Sequence, residues 1–210
     1  MSTFPWVKRY PKGIPATIEI DKHENLVELL EDGFANFADR IAYENMGKQL
    51  TYKEVDTMSN YFAAYLQQEY KLVKGDRIAI QMPNCLQYPI ALIGALKAGL
   101  IVVNTNPLYT PREMAHQFKD AGVSAILVVS NFANHVEEVI PALGIDKVIV
   151  TSLGDMLGGL KGGIVNFVVK YVKKMVPKYH LPTAVSFKEV LSKGAELNFE
   201  KPTIKSTDLA

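Results

Sequence analysis

The sequence is poor in the residues that would point straight to a chemistry. It has one cysteine, Cys85, so no disulfide can form within the chain and a reducing, cytoplasmic setting is the simplest reading. Its four histidines, His23, His116, His135 and His180, stand far apart and share no ligand spacing with Cys85, so no metal motif emerges. The net charge is only +1, which excludes a bulk attraction to nucleic acid. The opening MSTFPWVKRYPKG lacks the apolar centre of a secretion signal, because prolines and basic residues interrupt it. Long apolar runs are also scarce. One stretch, CLQYPIALIGALKAGLIVV at 85–103, imitates a membrane span, which needs about 20 apolar residues. It carries Lys97, and Gly99 sits where a helix would stop, so it reads as a buried helix followed by a buried strand.

What is present is a regular alternation. With 48% apolar and 21% charged residues over 210 positions, the chain can bury a proper core. Short β-branched runs occur at 76–82, 100–104, 124–129 and 146–151, each between helical patterns. The first three are apolar almost throughout, as strands covered on both faces are. Strands separated by single helices predict an α/β fold with a mostly parallel sheet and crossover helices. Helix starts are legible as well. Thr51-Tyr52-Lys53-Glu54 and Thr110-Pro111-Arg112-Glu113 have capping-box spacing, and Asn25…Glu28 and Ser186…Glu189 are two further candidates. After Thr51, Val55, Met58, Phe62, Tyr65 and Leu66 fall on one stripe.

A reaction centre does not follow from spacing. The glycines of GDMLGGLKGG (154–163) do not make a phosphate loop, since Lys161 does not follow the required glycine and Gly162 stands where Ser or Thr is needed. Ser124, in GVSAI, lacks the second glycine of a nucleophile elbow. Leu86 and Ile90 point to a buried Cys85 with no adjacent base. Lys74, Lys97 and Lys161 offer charge but no motif. No catalytic, cofactor-binding or metal residue is nominated.

One segment has a signature beyond packing. Between Ser152 and Pro182 there are five lysines and one acid, Asp155. In IVNFVVKYVKKMVPKY, Asn166, Lys170, Lys173 and Lys174 fall on one helical face, with Ile164, Val165, Phe167, Val168, Tyr171, Val172 and Met175 around the rest. Such a basic amphipathic helix suits an anionic lipid interface; solvated lysines on a helix docked to the sheet are the plainer alternative. Phe167, Lys170, Tyr171, Lys173 and Lys174 are the candidate membrane contacts.

Several motifs in fixed order then carry a resemblance: LTYKEVDTMSN, GDRIAIQMPN, LKAGLIVVNTNPLYTPREM and DAGVSAILV. Together they resemble the early core of the adenylate-forming acyl-activating enzymes, the acyl-CoA synthetase and luciferase group, over about residues 26–150. MSTFPWVKRYPKGIP and NFVVKYVKKMVPKYHLPTAVSF further resemble bacterial long-chain fatty-acid–CoA ligases. The resemblance implies the first subdomain of a large N-terminal domain. It divides the chain into an extension (1–24), an α/β core (25–151), a Gly-rich and basic insertion (152–185) and a return segment (186–210).

The implied reaction joins a long-chain fatty acid to coenzyme A through an acyl-adenylate, with ATP and Mg2+, releasing AMP and pyrophosphate. In that family the ATP loop follows the segment matching STDLA, so the chain is expected to be an N-terminal portion, inactive by itself and holding none of these cofactors. The resemblance also admits a homodimer and a peripheral position on the inner face of the cell membrane. Two alternatives stand beside it: a relative acting on aryl or short-chain acids, and a self-contained peripheral membrane or binding module without catalysis.

Overall fold

The computed structural model describes residues 4–17 and 22–210, so residues 1–3 and 18–21 of the 1–24 extension lie outside the described residues. A five-stranded sheet has the order β4-β3-β5-β6-β7, made of β3 (Arg77–Gln81), β4 (Ile101–Asn104), β5 (Val123–Val129), β6 (Lys147–Thr151) and β7 (Val185–Ser186). Every pairing in it is parallel. Parallel neighbours need crossover connections, and helices α3 (Gln87–Lys97), α4 (Pro111–Ala121) and α5 (Ala133–Leu143) supply them.

The sheet is buried on both faces, and the alternation along β5 shows how. Ala125, Leu127 and Val129 point into one core with β3 residues Ile78 and Ile80, helix α2 (Tyr52–Gln68), α3 and helix α7 (Phe187–Gly194). Ile126 and Val128 point into the other, with Met114 and Phe118 of α4 and Val136 and Val139 of α5. The step from β3 to β4 therefore runs over one face, and the step from β4 back past β3 to β5 runs over the other. Right-handed crossovers require that change of face when the direction reverses.

The helix entries follow the local chemistry. Thr51 Oγ1 accepts the Glu54 N–H at 3.1 Å while Glu54 Oε2 accepts the Thr51 N–H at 2.7 Å, closing a capping box on α2. Thr110 and Glu113 do the same for α4, with Pro111 at its first position. Asn25 caps helix α1 (Leu26–Asn36) through the Glu28 N–H, but Glu28 reaches back to the Glu24 N–H instead of the cap's own. Along α2, Val55, Phe62, Tyr65 and Leu66 are buried and Met58 is half-buried.

Two elements differ from expectation or were not singled out. A two-stranded antiparallel hairpin, β1 (Ile41–Asn45) and β2 (Lys48–Thr51), lies outside the parallel sheet. It turns at Met46 and Gly47, both with positive φ (48° and 74°), as a tight primed turn needs. The amphipathic segment is also not one long helix. An α-helix, α6 (Gly159–Phe167), passes into a π-helical turn over Val168–Val172 and stops. Lys174 takes a left-handed φ of 53°, and Pro177 beyond it cannot donate to a helix.

Candidate functional site

The excursion between β6 and β7 carries seven exposed large apolar side chains, Leu160 to Tyr179, together with the lysines. Leu160, Ile164, Phe167 and Tyr171 recur at i, i+4, i+7 and i+11, which places them on one stripe. All four are exposed, Leu160 to 81% and the others to 53–58%, so the stripe faces outward. The Phe167 and Tyr171 rings sit 5.2 Å apart, with Lys170 Nζ 5.3 Å from the Tyr171 centroid. Lys161, Lys170, Lys173, Lys174 and Lys178 are exposed. The structure thus brings Phe167, Lys170 and Tyr171 together at one surface and leaves Lys173 and Lys174 on the irregular chain beyond the π turn.

Asn166 corrects the sequence reading, which grouped it with the lysines. It turns inward: its Oδ1 accepts the Gly154 N–H at 2.8 Å, and its Nδ2 donates to Asp155 Oδ1 at 3.0 Å. Asp155 Oδ2 accepts from the Ser152 N–H at 2.7 Å and the Thr151 hydroxyl at 3.1 Å, while Lys188 lies 3.7 Å from Oδ1. Gln87, buried on α3, extends this network by donating to Thr151 Oγ1 and to the Ser152 carbonyl at 3.1 and 2.8 Å. Gly162 packs its backbone on that of Gly154 so closely that a Cβ at either would lie 2.4 Å from the other's carbonyl oxygen. Spacing alone gave no sign of this inner face. The one available signal was Asp155, a lone acid in a lysine-rich segment.

The lysines weighed for chemistry are occupied structurally. Lys74 donates to the Thr203 carbonyl at 2.8 Å and pairs with Asp208 at 2.5 Å. Lys161 donates to the Met46 carbonyl at the hairpin tip. Lys97, only 1% exposed, meets Asp56 Oδ1 at 2.5 Å and Asn60 Oδ1 at 2.7 Å, and lies over the Phe34 ring. Burial pulls its ammonium below the ordinary lysine range, and Asp56 opposes that shift. Cys85 is buried beside Met82, and burial pushes its thiol up, away from the reactive thiolate. His23 pairs with Asp32, and His135 lies against Phe132.

These residues do not fit a triphosphate or Mg2+ site. Among the described residues no group of three His, Cys, Asp or Glu side chains converges on one point. The glycine run is consumed by the Gly154–Gly162 contact and the start of α6. Among the described residues no helix is long and apolar enough to cross a membrane.

Comparison with known proteins agrees with this architecture. The chain is 51% identical over 205 residues to a long-chain-fatty-acid–CoA ligase of Salmonella typhimurium, covering 98% of this chain and 36% of that protein. It is 38% identical over 153 residues to the long-chain-fatty-acid–CoA ligase of Bacillus subtilis, covering 73% and 27%. The chain thus spans about a third or less of the length of the curated relatives it matches. Among solved structures, a putative long-chain-fatty-acid CoA ligase from Rhodopseudomonas palustris superposes with a TM-score of 0.66 at 22% identity, over 88% of this chain and 39% of that one. An anthranilate CoA ligase superposes with a TM-score of 0.66 at 16% identity, over 87% and 30%. These two likenesses establish the fold alone. The profile of the AMP-binding enzyme family matches residues 30–209, and the chain belongs to that family.

Proposed function

We propose that this chain is the opening part of an AMP-forming long-chain fatty-acid–CoA ligase, which turns a fatty acid, ATP and CoA into acyl-CoA, AMP and pyrophosphate. The observation that carries the reading is the 51% identity to the Salmonella ligase, which runs through 98% of the chain and so includes the basic segment. The similarity of the fold to an anthranilate CoA ligase does not favour an aryl substrate, because at 16% identity it speaks only for architecture. No residue here is assigned a part in the reaction, and the 210 residues by themselves are expected to form no acyl-CoA. Within the reading, residues 25–151 form the core subdomain, 152–185 an insertion and 186–210 a return segment.

The insertion supplies the approach to the substrate. Long-chain acids partition into membranes, and the protein is placed in the cytoplasm, visiting the inner face of the cell membrane. Phe167 and Tyr171 provide apolar contact there, and Lys170, Lys173 and Lys174 meet anionic headgroups, each worth about 1 kcal/mol near such a surface. This contact is checked by co-sedimentation with anionic vesicles at low salt, and a chain that stays in the supernatant removes it.

The enzymatic reading is tested by a chimera in which this chain replaces the aligned part of the Salmonella ligase. The expected product from oleate, ATP and CoA is oleoyl-CoA with AMP. A folded chimera that activates no acid would refute the enzymatic reading altogether.

A further inference from the structure

Resting on the lipid-contact reading above, the geometry points to a clamp that fixes the roll of α6. Gly154, Asp155, Gly162 and Asn166 hold the helix so that Leu160, Ile164, Phe167 and Tyr171 form the face that enters an anionic bilayer. A helix that only covered a sheet would turn its widest apolar arc inward. Here the inner side is Gly162, Val165 and Asn166, and the large side chains are outside.

The inner side is built for close approach. The backbones of Gly154 and Gly162 touch, and a methyl group at either position would collide at 2.4 Å with a carbonyl that cannot move aside. The Asn166 amide satisfies one backbone donor and one carboxylate oxygen at once, so any roll of the helix breaks both bonds. Asp155 passes the hold to the end of β6 through Thr151 and Ser152, and Gln87 braces those from α3. Asp155, Asn166 and Gly162 are therefore positioning residues.

The outward face is rimmed by charge of one sign. At about 100° per residue Lys161 falls on one flank of the stripe, and Lys170, in the π-helical turn, lies over the Tyr171 ring at its far end. From Gly159 to Tyr179 there are five lysines and no acid. That complement matches an anionic lipid surface, whereas a second copy of the same face would set lysines against lysines. Lys161 also ties α6 to the hairpin tip through the Met46 carbonyl.

The test uses the whole chain carrying Cys85→Ala, with a nitrobenzoxadiazole label on Leu160→Cys or Lys170→Cys. The membranes are phosphatidylglycerol–phosphatidylethanolamine vesicles, with phosphatidylcholine vesicles as control. The label at 160 should shift to the blue far more than the label at 170, and only on the anionic vesicles. Leu160→Ala with Ile164→Ala should lower partitioning about a hundredfold or more, and neutralising Lys161 about fivefold. Asn166→Ala, Asn166→Asp and Gly162→Ala should erase the contrast between positions 160 and 170; variants are scored only if they keep a cooperative melt, and Asn166→Ala is milder than Asn166→Asp, which sets a second carboxylate against Asp155.

If the unsubstituted chain does not bind vesicles, the lipid reading falls and the clamp's role falls with it. If it binds but the Asn166 and Gly162 variants keep the full contrast, the clamp is overturned and lipid contact stands. A dimer that Leu160→Asp converts to monomer, without vesicle binding, would assign the stripe to a second copy and overturn the inference.

Discussion

Lys97 and Asp56 form an ion pair whose two halves should respond very unequally to removal. Lys97 is 1% exposed, while the Asp56 side chain is 37% exposed. In Lys97→Met the apolar stem stays packed under Phe34, and Asp56 turns to water, so the expected loss is only about 1 kcal/mol. In Asp56→Ala the ammonium stays buried without its counter-charge, keeping only Asn60 Oδ1 and the carbonyl of residue 56. Breaking a buried pair from that side costs about 3–5 kcal/mol, and the two remaining acceptors favour the lower end. About 3 kcal/mol corresponds to a fall in Tm of about 6–12 °C in a chain of this size.

The same deficit should depend on pH. Burial lowers the Lys97 pKa in the folded state, so the unfolded chain binds more protons between the folded and unfolded values, and stability rises with pH through that window. Asp56→Ala removes the group that opposes the shift, which widens the window downward. Its deficit should therefore shrink as pH rises toward the ordinary lysine range. Urea unfolding followed by circular dichroism at neutral and alkaline pH measures both effects. The reasoning fails if Lys97→Met is the costlier change, or if the Asp56→Ala deficit does not shrink on raising the pH.

Other positions give sharper contrasts. Gly194→Ala would place a Cβ 2.0 Å from the Tyr61 carbonyl where α7 crosses α2, so it should cost about 1–3 kcal/mol or more in thermal unfolding. Gly163→Ala, with open space around its Cβ, should stabilise by up to about 1 kcal/mol through helix propensity; an equal response at the two sites would contradict the packing. Tyr70 donates to the Val148 carbonyl at 3.0 Å, so Tyr70→Phe should lose about 1 kcal/mol in urea unfolding, and no loss would mean water replaces the bond. The Cys85 thiol should react slowly with a disulfide reagent in the native chain and rapidly in urea; fast native labelling would show that α3 opens locally.

The parts of the fold that were legible are those written in neighbouring residues. β3 and β5 announce themselves as apolar runs because both faces are covered, and the caps at Thr51 and Thr110 are complete within four residues. The hairpin was faint, because only Asn45 and Gly47 mark its turn and Ile41 and Tyr43 stay exposed. In the candidate site the lysines and aromatics could be read, but the roll of α6 could not. That roll depends on a backbone contact between Gly154 and Gly162 and on the Asp155–Asn166 bond, neither of which hydrophobic periodicity encodes. The partner of Lys97 was hidden for a similar reason: Asp56 lies 41 residues away.

The basic excursion leaves the sheet at the end of β6 and returns at β7, the strand beside it, with Ile149 opposite Val185 and Val150 opposite Ser186. Its two ends are held a single strand spacing apart, whatever the chain between them does. Lengthening such a loop is cheap, since doubling it adds only about 0.6 kcal/mol of closure entropy. The segment's start and end are thus fixed by the sheet, and Leu157 and Leu181 anchor it in the two cores. Changes confined to the exposed stretch between those two anchors should therefore leave the five-stranded sheet intact.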